Sequence, residues 1–310
     1  MPNVSVVMPV FNAERYVAAA IESILGQTFR DFELLIINDG STDSSLEIIN
    51  RYRDLRIQIR SRENLGIVAT RNELLEWSRG SLIACMDADD VSHRERLEIQ
   101  LKFLQQNPGV GVVGTFGKFI DPDGDELSDF HDLLTHDEIT AALLRADLGI
   151  INPSAMIRRS AIMHVGGYRT RFVQAEDLDL WLRIGESYRL ENIPRVLINY
   201  RVHPKSISHA LPGEQRRSAQ LVVNEALARR GESSVFALNL NAPTETACER
   251  QRKWAWWAYG AGNFKTAFKY TYRLVLNEPF ELKNWHLLAV LFKKSCIEKR
   301  IIWRKNANSA

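Results

Sequence analysis

Three carboxylates stand together in SLIACMDADDVSHRERLEIQ, residues 81–100: Asp87, Asp89 and Asp90 follow directly on an apolar run suited to burial. Carboxylates crowded at a strand end repel one another unless a cation or a proton joins them. The structural alternative is a strand-to-helix loop in which Asp90 or Ser92 caps the next helix. Two further acidic groups raise the same choice. Asp39 lies in NDGSTD, which also reads as a turn with Asp43 capping a helix. Glu176-Asp177 opens AEDLDLWLR, where first-turn acids also suit a helix dipole.

The elements around these residues favour a site. VSVVMPV (Val4 to Val10) is a β-branched run, followed by a helical pattern from Ala13 to Gln27 with Val17, Ala20, Ile21 and Ile24 on one face. The unit repeats as FELLIIND and a helix through Leu46, Ile48 and Ile49, as RIQIR and a helix from Gly66 to Trp77, and as SLIACMD and a helix from Arg94 to Gln106. Four such alternations predict an α/β protein with a parallel, doubly wound sheet, whose ligands sit beyond the carboxyl ends of the strands. The polar clusters Pro9 to Glu14, Asn38 to Asp43, Arg62 to Gly66 and Asp87 to Asp90 fall at those four ends.

After Asn107-Pro108 the pattern is less regular: a strand and hairpin through GVGVVGTFGKFIDPDGDE, a helix from Asp137 to Ala146, a strand at INPSAMIRR, short helices, and a last strand at VLINYRVH. GVGVVG satisfies G-x-G-x-x-G but has no helix opening at its end, so it is not read as a dinucleotide site. The predicted division is residues 1–209 as one domain, with halves 1–107 and 108–209, and a helical region over 210–310. Within that region WAWWAYGAGNFKTAFKYTYRLVLNEP has the spacing of a helical hairpin resembling one tetratricopeptide unit.

Composition excludes several classes. With 310 residues, a net charge of +2 and 45% hydrophobic residues, the chain reads as ordinary globular protein. Cys85, Cys248 and Cys296 are odd in number and in no metal-ligand spacing, which argues against disulfide scaffolds and zinc and suits a reducing cytoplasm. No signal-peptide pattern and no apolar run of spanning length is expected. Charge is uneven, with 17 Lys and Arg against 8 Asp and Glu over residues 210–310 and 23 against 30 before them. From Lys283 to Lys305 basic residues interleave with Trp285, Leu288, Phe292, Ile301 and Trp303. This suits either a helix packed on the core or peripheral contact at the inner face of a membrane. No nucleic-acid module frames these residues, so nucleic acid is not an expected partner.

VSVVMPVFNAE, ELLIINDGSTDSS, ENLGIVATRN and MDADD, in this order, followed by NPSAMIRRS and AEDLDLWLR, resemble glycosyltransferase family 2 across residues 3–205. The resemblance implies a GT-A fold, a Rossmann-like, mostly parallel sheet flanked by helices, here with a C-terminal helical extension. It implies metal-dependent, inverting transfer from a nucleotide-sugar, a UDP-sugar first, to a glycan or lipid-linked glycan acceptor in surface polysaccharide synthesis. Carried over residue by residue, Asp39 holds the base, Pro9 and Glu14 line the base and ribose pocket, Asn64 and Gly66 shape their loop, and Arg71 faces the site. Asp89 ligates Mn²⁺ or Mg²⁺, and Asp87 contacts the ribose or the metal shell. Asp177 is the base that takes the acceptor proton, Glu176 orients the acceptor or its loop, and Arg201 and His203 are expected near diphosphate or metal. Structural alternatives stay open for Pro9, Glu14, Arg71 and His203, and Trp181 is either acceptor floor or core. A nucleotidyltransferase and a non-catalytic nucleotide-sugar-binding scaffold remain the rival functions, although PVFNAERY lacks the glycine-rich basic loop expected of the former.

Overall fold

The computed structural model describes residues 2–130, 133–204, 212–240 and 245–293. The basic and apolar positions from Lys294 to Lys305, Ile301 and Trp303 among them, lie outside the described residues. The chain divides into two compact units. One comprises Met1–Gly117, Phe130–Arg201 and Lys205–Ala242, the other Lys118–Asp129, Val202–Pro204 and Pro243–Ala310. The helical stretch after residue 210 is therefore shared between them, its first helix belonging to the first unit.

The first unit begins with β1 (Val4–Val10), α1 (Val17–Leu25), β2 (Phe32–Asp39), α2 (Ser45–Ile49), β3 (Ile57–Arg62), α3 (Ile67–Trp77) and β4 (Leu82–Cys85). The strands lie in the order β3-β2-β1-β4, all parallel, with Val4 opposite both Phe32 and Leu82. Their near-continuous apolar sequences follow from burial on both faces. Val7, Leu35, Ile37, Ile83 and Cys85 enter one core, while Val6, Met8, Leu34, Ile36 and Ala84 enter the other. Each aliphatic side chain so buried contributes on the order of 1.5–3 kcal/mol. The helix predicted from Ala13 begins only at Val17, because the backbone N–H groups of Asn12 and Glu14 donate to Ser41 and Asp43 of the loop after β2 and that of Ala13 to Ser45 at the start of α2.

Beyond β5 (Val91–Ser92) and α4 (Arg96–Gln106) come β6 (Val110–Ile120), β7 (Glu126–Phe130), α5 (His136–Leu143), a 3₁₀ turn at Asn152–Ser154, β8 (Met156–Arg158), α6 (Arg159–His164), α7 (Glu176–Ile184), β9 (Arg189–Arg201) and α8 (Pro212–Arg229). The sheet continues past β4 as β8-β6-β9-β5, with β8 antiparallel to β4 and β6, and β5 antiparallel to β9. The expected mostly parallel sheet is thus found, with its antiparallel pairings confined to this half. The Cys85 N–H at the end of β4 donates to Ala155 O at 2.9 Å, so β8 starts at the rim where β4 ends and must run back from it. GVGVVG lies within β6 and its immediate approach, as expected for a sequence that opens no helix. A Cβ on Gly114 would stand 2.1 Å from Asn192 Oδ1, so close packing against β9 explains that glycine.

In the second unit, α9 (Ala247–Gly260) and α10 (Phe264–Asn277) form the predicted helical hairpin, and residues 282–293 are helical as well. Thr246 and Glu249 cap α9 reciprocally. Trp254 meets Tyr270 edge to face, with ring centroids 5.2 Å apart. The hairpin tip between β6 and β7 brings Asp121, Asp123 and Asp125 around the Lys269 ammonium, at 2.5, 2.7 and 2.7 Å. The Tyr270 hydroxyl donates to Asp121 at 2.7 Å.

Candidate active site

The carboxyl ends of β1, β2 and β3 are tied into one rim. Asn12, at a φ of 50°, accepts from the Thr42 N–H through Oδ1 at 2.8 Å. The Glu14 N–H donates to Asp43 at 3.0 Å, and Glu14 accepts from the Ser44 N–H at 3.0 Å. Asp39 is buried and accepts from the backbone N–H groups of Leu65 at 2.9 Å and Gly66 at 3.0 Å, and from the Arg62 guanidinium. Asn64 Nδ2 donates to Asp39 O at 2.8 Å. Gly40 has a φ of 72°, and a Cβ there would lie 2.6 Å from Asn64 N, so only glycine fits between these loops. Asp39 therefore orders the β3–α3 loop, and Asp43 anchors the start of α2 through the Ser45 N–H at 3.0 Å.

The DADD segment lies between β4 and β5. Asp90 is 1% exposed and accepts the Arg201 N–H through Oδ1 at 2.7 Å, while its Oδ2 is buried without a hydrogen-bond partner. Arg201 Nε donates to Asp89 O at 2.8 Å, and its guanidinium lies 4.6 Å above the Tyr16 ring. Asp87 and Asp89 remain half-buried. Burial pushes the Asp90 carboxyl well above the usual range, with Asp89 and Asp87 adding to the rise and Arg201 opposing it. Asp87 is raised by burial, against the pull of Arg71, and further by Asp89 and Asp177. The hydroxyl of the half-buried Tyr200 is likewise raised, by burial first and then by the same acids.

Arg71 joins the two acidic motifs. From the second turn of α3 its guanidinium reaches Glu176 at 2.5 Å and Asp87 at 3.4 Å, with the Tyr168 ring 5.6 Å away. Burial works against that charge, but Glu176 and Asp87 outweigh it and hold the guanidinium above its ordinary value. Glu176 is 5% exposed and raised by burial despite Arg71, and its Oε2 has no hydrogen-bond partner. Asp177, half-buried on the next position of α7, accepts the Leu178 N–H at 2.7 Å. Pro9 shares a small cavity with Arg71, Asp87, Asn152 and Tyr168. Asp179 points away, wholly buried against Arg169 and Arg183, and Trp181 is packed in the core at 1% exposure. His203, two residues past β9, belongs to the second unit.

An all-oxygen donor set with mutually repelling carboxylates and an orphaned Asp90 oxygen fits a hard divalent cation. Among the described residues, the group of three acids whose oxygens lie within 4.8 Å of one another is Asp121, Asp123 and Asp125, but Lys269 already occupies that cluster, so it reads as an internal ion pair. Sequence reasoning passed over Tyr200, Tyr16, Tyr168 and Asn152. Only Asn152 carried a signal, since it opens NPSAMIRRS.

The model of the family named Glycosyl transferase family 2 matches residues 5–166. The chain is 35% identical over 208 residues to an uncharacterised glycosyltransferase of Methanocaldococcus jannaschii, covering 65% of this chain and 71% of that one. It is 34% identical over 209 residues to the O-antigen biosynthesis glycosyltransferase WbnJ of Escherichia coli, covering 66% and 81%. Against the hyaluronan synthase of Pasteurella multocida it is 28% identical over 235 residues, 74% of this chain but 24% of the synthase, about a quarter of its length. S. aureus TarS in complex with UDP-GlcNAc superimposes with a TM-score of 0.59 at 16% identity, covering 96% of this chain and 92% of that one. The mannosyltransferase PcManGT from Pyrobaculum calidifontis, in complex with GDP-Man and Mn²⁺, gives 0.56 at 20% identity, covering 94% and 86%. With the sheet, the rim and these likenesses in agreement, the chain belongs to glycosyltransferase family 2 and is a glycosyltransferase of the GT-A fold.

Proposed function

We propose that the protein is a metal-dependent, inverting hexosyltransferase that moves a sugar from a nucleotide-sugar, a UDP-sugar first, to a glycan or lipid-linked glycan acceptor in surface polysaccharide synthesis. The observation that carries this reading is the Arg71 bridge, which holds Asp87 of DADD and Glu176 beside Asp177 within one buried charge network. Residues 1–107 take the nucleotide and residues 108–209 the acceptor. Asp39, through the loop it orders, and Pro9, Glu14 and Asn64 form the base and ribose side. Asp89 and Asp87 hold Mn²⁺ or Mg²⁺, which when bound neutralises the charge that develops on the diphosphate leaving group. Arg201 fixes the DADD backbone from the opposite strand. Asp177 takes the proton of the acceptor hydroxyl as its oxygen attacks the anomeric carbon opposite the leaving group. Glu176, held by Arg71, keeps Asp177 and the acceptor in line.

Support for the donor class comes from structural relatives that carry UDP-GlcNAc or GDP-Man with Mn²⁺, and for the acceptor class from the O-antigen and hyaluronan enzymes. Among the described residues Cys85 and Cys248 are free thiols, which suits the cytoplasm. No helix among the described residues is long and apolar enough to cross a membrane. The test is calorimetric titration of UDP, GDP and dTDP with Mn²⁺ and with chelator, on the wild type and on Asp177→Asn. The variant should lose transfer by about 10²–10⁴-fold while keeping metal-dependent nucleotide affinity. A variant that loses both in proportion removes Asp177 from the role of base.

A further inference from the structure

The second unit carries an apolar strip that its own packing leaves open. On α10 Tyr272 and Leu276 are 62% exposed, one helical turn apart. In the turn that follows, Phe280 is 95% exposed, and on helical residues 282–293 Leu282, Trp285 and Phe292 are 80%, 47% and 56% exposed. By helical spacing Tyr272 and Leu276 share one face of α10, and Leu282, Trp285 and Phe292 share one face of the helix that follows. The Phe268 ring of α10 meets the Phe292 ring edge to face at 5.5 Å, and at the other end Trp285 Nε1 donates to Pro279 O at 2.7 Å. The inner faces of the same helices are filled, since Ala267, Tyr270, Leu274, Leu287 and Leu291 are buried. The strip is therefore surplus to the core of the unit, and a contiguous exposed apolar patch of this kind marks an interaction surface.

Charge selects the occupant. Between residues 264 and 293 the sequence holds five Lys and Arg against two Glu. Among the described residues Lys265, Arg273, Lys283 and Lys293 are exposed, on the same two helices as the strip. A protein partner or a second copy calls for apolar complementarity and gains little from an unbalanced basic surface. An anionic bilayer takes both features, because aromatic and aliphatic tips enter the headgroup region while lysines and arginines meet lipid phosphates. We propose that the α10–residue 293 face of the second unit is a peripheral binding surface for an anionic lipid bilayer. Phe280 and Leu282 are its inserted tips, Trp285 sits at the interface, and Lys283 and Lys293 are headgroup contacts. Such a surface holds the enzyme at a bilayer.

The experiment uses the full chain in co-sedimentation with vesicles of phosphatidylcholine alone and of phosphatidylcholine with phosphatidylglycerol. The expected result is binding to the anionic vesicles that weakens with salt and is absent with neutral ones. Lys283→Glu with Lys293→Glu should weaken it by at least about 25-fold, from roughly fivefold per basic residue near the surface. Phe280→Ser with Leu282→Ser should weaken it at low salt while leaving thermal unfolding of the protein unchanged, since neither side chain is buried. No binding to anionic vesicles overturns the proposal. So does binding that both double variants leave intact but deletion of residues 294–310 abolishes, which would assign the contact to that segment alone. Self-association in sedimentation equilibrium that Phe280→Ser with Leu282→Ser removes, without vesicle binding, would reassign the strip to a second copy of the chain. Metal-dependent nucleotide binding is measured separately in the same preparations, so failure here leaves the transferase reading untouched.

Discussion

Arg71→Met tests the charge network directly. The guanidinium is 9% exposed and lies 2.5 Å from Glu176 and 3.4 Å from Asp87, whose carboxyls are both raised by burial and by their acidic neighbours. A unit-charge pair at such distances is worth about 5–7 kcal/mol before desolvation at an effective dielectric of 20. Removing one partner of a buried pair costs about 3–5 kcal/mol. At roughly 2 °C per kcal/mol for a chain of this size, the melting temperature should fall by about 6–10 °C. The sign with pH follows from Glu176. Its carboxyl already sits above the unfolded value, so its ionisation costs stability as pH rises, and without Arg71 that cost grows. The deficit of the variant should therefore be full at neutral pH and shrink in mild acid. The assay is a double-mutant cycle by thermal unfolding, with Arg71→Met, Glu176→Gln and both together. A coupling of about 2 kcal/mol is expected, and additivity within about 0.5 kcal/mol would refute the reasoning.

Asp89→Ala should weaken Mn²⁺-dependent nucleotide binding in calorimetry, and undiminished affinity would remove Asp89 from the metal site. Gly114→Ala should destabilise by about 1–3 kcal/mol in thermal unfolding, because its Cβ would meet Asn192 Oδ1 at 2.1 Å and Ile150 at 2.8 Å. A strand glycine free of such contacts would gain stability from the same change. Glu33→Gln should cost about 2 kcal/mol at neutral pH. Burial alone would raise the Glu33 carboxyl, but hydrogen bonds from Ser5 and Arg79 outweigh it and hold it below its ordinary value. A depressed carboxyl stabilises above its unfolded value and loses that contribution as pH falls through its folded one, so the gap between variant and wild type should close in acid. A gap that stays constant would count against this account.

The parallel half of the fold was legible because its strands are buried on both faces and so read as unbroken aliphatic runs: VSVVMPV, FELLIIND and SLIAC became β1, β2 and β4. Polar residues at the ends of those runs could be placed on one rim by topology alone. The antiparallel half was not legible in direction, since β8 is three residues long and its course is set by where the 3₁₀ turn leaves it, not by its own pattern. Nor could periodicity reveal pairings across long separations. Arg71 and Glu176 are 105 residues apart, and Arg201 reaches back 111 residues to Asp90 through a backbone N–H that no side-chain pattern encodes. Asp39 was legible as a rim residue, while its grip on the Leu65 and Gly66 N–H groups depends on a loop whose shape only the assembled sheet defines.

The Lys269 ammonium among Asp121, Asp123 and Asp125 gives the second unit a counterion that is covalently part of the chain. Chelators cannot strip it and added Mn²⁺ must compete with a tethered charge at high local concentration. The hairpin between β6 and β7 is thereby tied to α10 by a charge that neither dialysis nor chelation removes.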